Sequence, residues 1–523
     1  MVLLGLMGSV CQAEDITVSF KGATAKVTRK VKDSVKVTVD GASVNIENLF
    51  RDHKLTLRLT GKSDDGQLVL KTAGKAKVKL DGIRLTSQEG APLCLKNKKK
   101  VEVVAVKGTE NTLTITACND TANHKAATIW AKDKLLLSGK GVLNINATGD
   151  GCRGIKIKKD ITIEELTLNV TTSGDNLGEK PFGFGGFPGF GNGEMPDFGG
   201  FPFGNDSIRP GGFPPFGNDS IRRGGFPPMG NFPMPDFSGG GFPPMGNDST
   251  MRGGFPPMGN FPMPDFGGGG FPQMGNDSIE GGFGGGFGGK HKYVASTKGI
   301  ASKGKITINS GNVTVRTSTA GAEGIEGKEG IVFNGGNVDV LTTDDAINAN
   351  ATIEFNGAKV TARSMDNDAV DSNPKGGFFM PFGGNSDQSA EPAIVIRGGA
   401  VYAWSQVGSP EEGLDCDFAP LVVEGGTIFS VGGGMGEMPS VPTNESAKQP
   451  TVLLIGINIV KNEPITISDA DGKLIDTVVV PFSLRRSASL VSSPAFKLGG
   501  SYTVKTKGYE KTFVIKENFT AVR

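Results

Sequence analysis

Acidic residues recur in a fixed pattern between residues 322 and 431. The chain carries four copies of an acidic residue, a small residue, an aliphatic residue and a second acidic or amide residue, beginning with residues 323–326 (Glu-Gly-Ile-Glu). The other copies begin at Asp345, Asp368 and Glu412. Carboxylate and amide oxygens are ligands of hard cations, and Ca²⁺ takes about 6 to 8 oxygens. The pattern therefore favours a metal-binding surface.

The aliphatic residue of this pattern recurs at a short period. Ile325, Ile347 and Val370 lie about 22 to 23 residues apart, and strand-like runs such as 337–340 (Asn-Val-Asp-Val) lie between them. A coil of that length cannot bury its own apolar side, so successive coils must stack and share a core. The alternation of apolar and polar residues indicates strands. The sequence predicts an all-β fold based on a right-handed parallel β-helix.

Stacked coils would align the acidic residues in two ladders, one on each side of the buried aliphatic residue. Coils in register lie roughly 4.8 Å apart. Like charges at that spacing repel by about 1 kcal/mol in water. Calcium ions would compensate this repulsion, whereas a solvated acidic edge relieved by lysines is the alternative. The predicted metal ligands are Glu323, Glu326, Asp344, Asp345, Asp368, Asp371, Glu412 and Asp415, with Asn348 in the second ladder.

Corners earlier in the chain carry basic residues in the flanking positions. Arg153, Lys156 and, past the insertion, Lys298 occupy them, so the ladder would change sign along the solenoid. Lys298 would lie directly below Glu323 and form an ion pair with it. On the outer face, Tyr402 and Trp404 are predicted carbohydrate-binding residues that could stack on sugar rings. The alternative, which the sequence favours, is that the C-terminal module covers them.

Composition excludes several function classes. The net charge of the 523-residue chain is +1, and no stripe rich in lysine and arginine argues for a nucleic-acid partner. The histidines, His53, His124 and His291, are too few for a zinc centre and no CxxC motif occurs. Of the five cysteines, Cys118 and Cys152 are a candidate disulfide, although pairing cannot be deduced from sequence. No motif places a Ser/His/Asp or Cys/His catalytic set.

The N-terminus resembles a secretory signal. Residues 1–13 are apolar and end in Cys-Gln-Ala, although the usual basic start is missing, as in a clipped signal. We therefore expect an exported protein, either secreted, periplasmic or on the cell surface. No later run of 18 apolar residues predicts a transmembrane segment.

Composition also divides the rest of the chain. Residues 178–290 are rich in Gly, Phe, Pro and Met, which predicts a disordered low-complexity insertion that binds a protein partner or is an expanded loop. The predicted segments are a signal peptide (1–13), a β-rich N-terminal cap (14–80), the first coils (81–177), the insertion (178–290), coils with acidic corners (291–448) and a small C-terminal β-sandwich-like module (449–523).

Several motifs carry a resemblance to a known family. They are 108–113 (Gly-Thr-Glu-Asn-Thr-Leu), 344–347 (Asp-Asp-Ala-Ile), 367–370 (Asn-Asp-Ala-Val), 411–414 (Glu-Glu-Gly-Leu), the 334–336 turn (Asn-Gly-Gly) and the tail 467–473. With them the chain outside its insertions resembles the bacterial exported carbohydrate-binding family built on a calcium-loaded parallel β-helix, related in fold to family 9 pectate lyases. The resemblance implies Ca²⁺ as cofactor and a plant-type polysaccharide, including acidic, uronate-containing sugars, as partner. The basic early corners and the long insertion depart from the family pattern.

Three hypotheses about function follow. The preferred one is non-catalytic, calcium-dependent polysaccharide binding. The second is a structural surface adhesin, in which the arm of residues 182–290 contacts a protein partner. The third is a polysaccharide lyase, in which Lys298 or Lys328 would remove a proton next to a uronate carboxyl group that Ca²⁺ acidifies.

Overall fold

The computed structural model describes residues 15–30, 35–52, 54–118, 125–179, 293–374, 391–417, 419–433 and 439–523. The signal segment 1–13, the three histidines and nearly all of the insertion lie outside these residues, so predictions about them stay predictions. Within the described residues the secondary structure consists of strands without a helix, which confirms the all-β prediction. It follows that these residues hold no helix of the length and apolarity needed to cross a membrane.

The strands fall into three groups along the chain. Those before the insertion are β1 (Ile16–Lys21), β2 (Thr24–Arg29), β3 (Val35–Asp40), β4 (Ser43–Asn48), β5 (Leu55–Ser63), β6 (Gln67–Thr72), β7 (Ala76–Leu80), β8 (Arg84–Ser87), β9 (Leu93–Asn97), β10 (Val101–Ala105), β11 (Glu110–Ile115), β12 (Ala127–Ala131), β13 (Leu135–Gly139), β14 (Val142–Ala147), β15 (Arg153–Ile157), β16 (Ile161–Glu164), β17 (Leu166–Thr172) and β18 (Leu177–Glu179). Those after it are β19 (Tyr293–Ala295), β20 (Lys298–Ser302), β21 (Ile306–Ile308), β22 (Gly311–Thr317), β23 (Glu323–Gly327), β24 (Ile331–Phe333), β25 (Asn337–Thr342), β26 (Ile347–Ala349), β27 (Ile353–Phe355), β28 (Lys359–Ser364), β29 (Val370–Ser372), β30 (Ile394–Ile396), β31 (Ala400–Ser405), β32 (Leu414–Asp415), β33 (Leu421–Val423) and β34 (Thr427–Val431). The C-terminal strands are β35 (Thr451–Ile459), β36 (Pro464–Asp469), β37 (Leu474–Val479), β38 (Leu484–Ser492), β39 (Ser501–Thr506), β40 (Tyr509–Val514) and β41 (Phe519–Val522).

Most of these strands belong to two large, mainly parallel sheets. A smaller sheet runs from β3 through β9, β12, β15, β20, β23 and β26 to β32, and every pairing after β3–β4 is parallel. The larger sheet contains two parallel series, one through β21, β24 and β27 and one through β22, β25 and β28. Each repeat, such as β23 to β25, thus contributes one strand to each of three parallel ladders.

The core lies between these ladders and follows the alternation in the sequence. Ile325, Ile347 and Val370 are fully buried and pair with one another in register. Phe333 and Phe355 stack with ring centroids 5.0 Å apart and an interplanar angle of 9°. Equivalent positions in adjacent repeats therefore pack on one another, which is how a repeat too short to have its own core buries its apolar side.

Steric contact between adjacent repeats explains why the acidic motif contains a small residue. Gly299 and Gly324 occupy this position in adjacent strands. A Cβ atom on Gly299 would lie 2.6 Å from the carbonyl oxygen of Gly324 and 2.4 Å from Cγ1 of Val315. Ala346 and Ala369 fill the same place in the next repeats. The close approach of neighbouring repeats therefore leaves no room for a side chain at Gly299, whereas the next repeats accommodate alanine.

Both ends of the stack depart from the parallel pattern. At the N-terminal end, β1–β2 and β3–β4 are antiparallel pairs, and parallel pairing begins at β1–β5 and β4–β6, within the segment predicted as a cap. At the C-terminal end, β35, β38 and β41 extend the larger sheet, while β36, β37, β39 and β40 form a separate four-stranded antiparallel sheet. A second hydrophobic cluster, including Val452, Ile465, Tyr502 and Phe513, belongs to this end of the fold.

The parallel ladders are continuous across the insertion. Ile155 pairs with Ile300, and Leu168 pairs with Val313. Strands β18 and β19, which flank the insertion, form an antiparallel pair in which Leu177 lies opposite Ala295. The two ends of the insertion therefore meet at one corner.

The predicted disulfide is not formed. Cys152 is a buried thiol, and it shares a small apolar cluster with Cys118, Ile115 and Ala147. Burial, with a smaller contribution from Cys118, raises the pKa of Cys152 to about 12. This thiol therefore stays protonated at neutral pH and acts as a small apolar group in the core.

Candidate functional site

Parallel pairing aligns the acidic motif in two ladders. In the second ladder, Glu326 pairs with Asn348, Asn348 with Asp371, and Asp371 with Asp415. Backbone hydrogen bonds connect the residues of the first ladder to the next repeat. The amide of Gly324 donates to the carbonyl oxygen of Asp345 (3.0 Å), that of Ala346 to Asp368 (3.2 Å), and that of Ala369 to Glu412 (3.0 Å). The repeat in the sequence thus becomes two columns of side chains on either side of the aliphatic anchors.

The first acidic repeat is neutralised by lysines. The Nζ atom of Lys298 lies 3.0 Å from Glu323 and 2.6 Å from Glu326, and that of Lys328 lies 2.6 Å from Glu326. The predicted ion pair between Lys298 and Glu323 is therefore present. Burial opposes ionisation of Glu326, but the charges of Lys298, Lys328 and Arg153 outweigh it and hold the pKa of Glu326 well below its usual range.

Lys298 itself remains charged. Burial lowers the pKa of its ammonium group, but the carboxylates of Glu323 and Glu326 more than offset this, and the net shift is upward. Burial raises the pKa of Glu323, and the charge of Lys298 offsets only part of that effect. Ammonium groups therefore already occupy the place where a cation would compensate these two glutamates.

Amides hold the carboxylates in the middle of the ladders. The Nδ2 group of Asn348 donates to Asp345 and to Asp371, both at 2.8 Å. The Nδ2 group of Asn373 donates to both carboxylate oxygens of Asp371, at 2.8 and 2.9 Å. Asp344 points to a different partner, since its Oδ1 atom accepts a hydrogen bond of 2.7 Å from Asn367.

A third group of acidic side chains surrounds the loop at Ser440. Oε2 of Glu412 accepts a hydrogen bond from the Ser440 amide at 2.7 Å, and Oδ1 of Asp415 accepts a longer one from the Ser440 hydroxyl at 3.4 Å. Oδ1 of Asp368 accepts the amide of Glu412 at 2.5 Å. Among the described residues, no lysine or arginine forms an ion pair with Asp368, Glu412 or Asp415.

Two of the carboxyl groups around Ser440, those of Asp368 and Glu412, resist ionisation. Burial, followed by the charges of Asp415 and Asp371, raises the pKa of Asp368 well above its usual range. Burial and the charge of Asp415 raise the pKa of Glu412 to about 8. A cation placed among these groups would favour their ionised forms. In its absence, protons are the available counter-charge.

The ladders contain oxygen atoms of the types that bind calcium, but these side chains already form hydrogen bonds with neighbouring amide groups. No group of three or more His, Cys, Asp or Glu side chains in the described part of the chain is placed so that it could hold a metal ion by itself. Amide nitrogens of Asn348 and Asn373 face the carboxylates, and a half turn of either amide would present oxygen instead. Carboxylate, amide, hydroxyl and backbone oxygens are the set that Ca²⁺ uses.

The two predicted sugar-binding aromatics are half-buried. Tyr402 and Trp404 pack against the C-terminal hydrophobic cluster, which also contains the fully buried Phe429. Burial and the charge of Asp476 raise the pKa of Tyr402. The indole nitrogen of Trp404 is buried without a hydrogen-bond acceptor among the described residues. The structure therefore favours the alternative in which the C-terminal module covers these rings.

Part of the chain is similar to known proteins. Residues 40–180 and 274–369 match the model of a family described as "Carbohydrate-binding domain-containing protein". A protein with that description from Acetivibrio thermocellus (strain ATCC 27405) is 27% identical over 153 residues, which are 26% of this chain and 53% of the relative. This chain thus matches about half the length of that relative. A solved polysaccharide lyase-like protein from C. thermocellum, a gadolinium derivative, aligns at 14% identity with a TM-score of 0.37, over 74% of this chain and 96% of that one.

Proposed function

We propose that this protein is a non-catalytic, calcium-dependent carbohydrate-binding protein that acts outside the cell or at its surface. Its scaffold would be a right-handed parallel β-helix, in keeping with the parallel ladders of the two large sheets. The match to a carbohydrate-binding family supports the sugar ligand. The calcium part rests on one observation: Asp368, Glu412 and Asp415 are brought together without a basic partner among the described residues.

The proposed calcium site contains fewer residues than the set of metal ligands predicted from the sequence. Glu323 and Glu326 are compensated by lysines, so the site is placed later, at Asp368, Asp371, Glu412 and Asp415. Bound calcium would supply a positive centre with open coordination positions for sugar hydroxyl or carboxylate oxygens. The Ser440 amide holds Glu412, and the Asn373 amide holds Asp371, so these side chains are already oriented.

The observations do not favour catalysis. A lyase base must be neutral to accept a proton, and a lysine does so near neutral pH only when its pKa is depressed. Lys298 is buried between two carboxylates that raise its pKa, and Lys328 forms an ion pair with Glu326. Both lysines suggested as a base therefore have structural roles, which supports a binding protein rather than a lyase.

A calcium titration tests this proposal. The protein would be titrated by calorimetry and melted with calcium or EDTA, alongside the double variant Asp368→Asn/Asp415→Asn and the control Asp471→Asn, which changes an exposed turn residue. We expect calcium to raise the melting temperature of the wild type and the control, because a ligand that binds the native state stabilises it by about 2.7 kcal/mol at 100 times its Kd. The double variant should lose this shift. No shift in the wild type at millimolar calcium would refute the calcium site.

A further inference from the structure

Four exposed lysines occupy the same position in consecutive repeats, far along the chain from the acidic ladders. Lys71 pairs with Lys96 in the register between β6 and β9. Leu95 pairs with Ala131, and Ala131 pairs with Ile157. The next residue after each of these is a lysine, so Lys96, Lys132 and Lys158 are also aligned. The amide of Lys132 donates to Leu95 at 2.9 Å, and that of Lys158 donates to Ala131 at 3.0 Å. We call Lys71, Lys96, Lys132 and Lys158 the lysine row.

The lysine row lines a groove. Its cavity has a volume of about 420 Å³ and is also bordered by Leu49, Lys98, Lys125 and Trp130. Trp130 is only 4% exposed and packs with Ala91, Cys94 and Ala127 as an apolar floor. The Nζ atom of Lys158 lies 5.9 Å from the centroid of the Trp130 ring, where the ring face attracts a cation.

Part of the positive charge of the groove has no acidic partner among the described residues. Among the described residues, Lys96, Lys98 and Lys132 form no ion pair with a carboxylate, whereas Lys71 pairs with Glu47. Two other carboxylates near this corner pair with lysines outside the row: Asp133 pairs with Lys159 at 3.1 Å, and Asp160 pairs with Lys134 at 2.7 Å. Because the row repeats on adjacent strands, the unpaired ammonium charges repel one another, which favours an anionic ligand.

We propose that this groove binds an anionic polysaccharide directly, through its lysine row and without calcium. A polysaccharide with a carboxylate or sulfate on each sugar presents a regularly repeating negative charge, which matches a cation repeated once per strand. The proposal rests on the proposed carbohydrate-binding function and names a ligand class and a second site for it. The family match covers residues 40–180 and so includes the whole groove. A net charge of +1 gives no general attraction for nucleic acid.

Affinity electrophoresis in EDTA at low salt tests this inference, because EDTA removes any calcium-dependent contribution. The probes are polygalacturonate, dextran sulfate, a neutral dextran and double-stranded DNA. The test variant is Lys96→Gln/Lys132→Gln/Lys158→Gln. The control, Lys461→Gln/Lys473→Gln/Lys511→Gln, makes the same change in charge at exposed positions of the C-terminal module.

We expect the wild type and the control to bind polygalacturonate or dextran sulfate, and the two probes show whether carboxylate or sulfate is preferred. The affinity of the test variant should fall about tenfold or more, and wild-type affinity should fall with added salt. Unchanged affinity in a folded test variant would overturn the lysine site and leave the proposed function standing. Equal affinity for DNA, or binding of the neutral dextran alone, would also overturn it. Failure to bind any polysaccharide, even with calcium, would refute both proposals.

Discussion

The carboxyl group of Glu412 couples the stability of the fold to pH. Its pKa is raised to about 8, chiefly by burial, whereas a glutamate in the unfolded chain titrates near 4.5. Between these values the native state binds more protons than the unfolded state, so stability falls as pH rises. In EDTA the free energy of unfolding at pH 7 should be lower than at acidic pH by roughly 3 kcal/mol or less, because Glu412 ionises in the unfolded chain but stays mostly protonated in the native state. Thermal melts from pH 5 to 8 would measure this decline.

Glu412→Gln removes this titration while keeping the shape of the side chain. The variant should lose much of the decline in melting temperature between pH 5 and 8, and Asp471→Asn should retain it. If the wild type gains stability steadily as pH rises through this window in EDTA, the account of the buried carboxyl group is wrong. Calcium should flatten the wild-type profile, because metal ions bind the ionised form and displace protons.

The buried ion pairs of Lys298 give a second prediction at this scale. Lys298→Met leaves Glu323 in a buried position without its cation, and breaking a buried pair in this way costs about 3 to 5 kcal/mol. Lys505→Met is the matched control, because Lys505 forms an exposed pair with Glu510 and such pairs contribute about 1 kcal/mol or less. Urea unfolding would measure both changes, and equal effects would contradict the structural role given to Lys298.

Residue spacing explains which sites the sequence could predict. The acidic ladders are readable in the sequence because their first three copies, at Glu323, Asp345 and Asp368, follow one another after 22 and 23 residues. The lysine row was not, since its members lie 25, 36 and 26 residues apart, and the longer corner between β11 and β12 hides the period. Only the strand pairing shows that Lys96 and Lys132 are neighbours. The sequence therefore shows no basic stripe, although the strand pairing assembles one.

At the scale of the element, each short strand has one face in the core and depends on the repeat beside it. Phe333→Ala should cost about 3 to 5 kcal/mol, because it removes one ring of the stacked pair with Phe355 and leaves a cavity. Val332→Ala, on the opposite face of the same strand, should cost less, because Val332 is 9% exposed and the substitution removes two methyl groups rather than a ring. Denaturant unfolding of the two variants would compare them, and a larger loss for Val332→Ala would reverse the assignment of the buried face.

The strands themselves were predictable from alternation, but the placement of their outer side chains was less so. Tyr402 and Trp404 alternate outward as expected, yet the later strands of the C-terminal module supply the apolar cluster that half-buries them. Alternation within a strand shows which face points away from its own core. It does not show whether a distant element covers that face, so the sugar-binding and buried interpretations could not be separated from sequence.

At the scale of the whole molecule, the parallel stack does not need the insertion. Strands β18 and β19 pair with each other, and β15 to β17 continue in register into β20 to β22. Replacing residues 182–290 with a short Gly/Ser linker should therefore leave the melting temperature within a few degrees of the wild type and leave polysaccharide binding unchanged. A large loss of stability in the deletion variant would show that the insertion is part of the fold.

The central claim is that the acidic side chains around Ser440 bind carbohydrate through calcium. Its most direct test is a panel of neutral and acidic polysaccharides, assayed with millimolar calcium and with EDTA. The protein is Lys96→Gln/Lys132→Gln/Lys158→Gln, so that the lysine groove does not contribute, with and without Asp368→Asn/Asp415→Asn. We predict at least one polysaccharide that is retained in calcium but not in EDTA, loses retention with the aspartate substitutions, and yields no unsaturated product. Retention independent of calcium, or release of unsaturated sugars, would contradict the account.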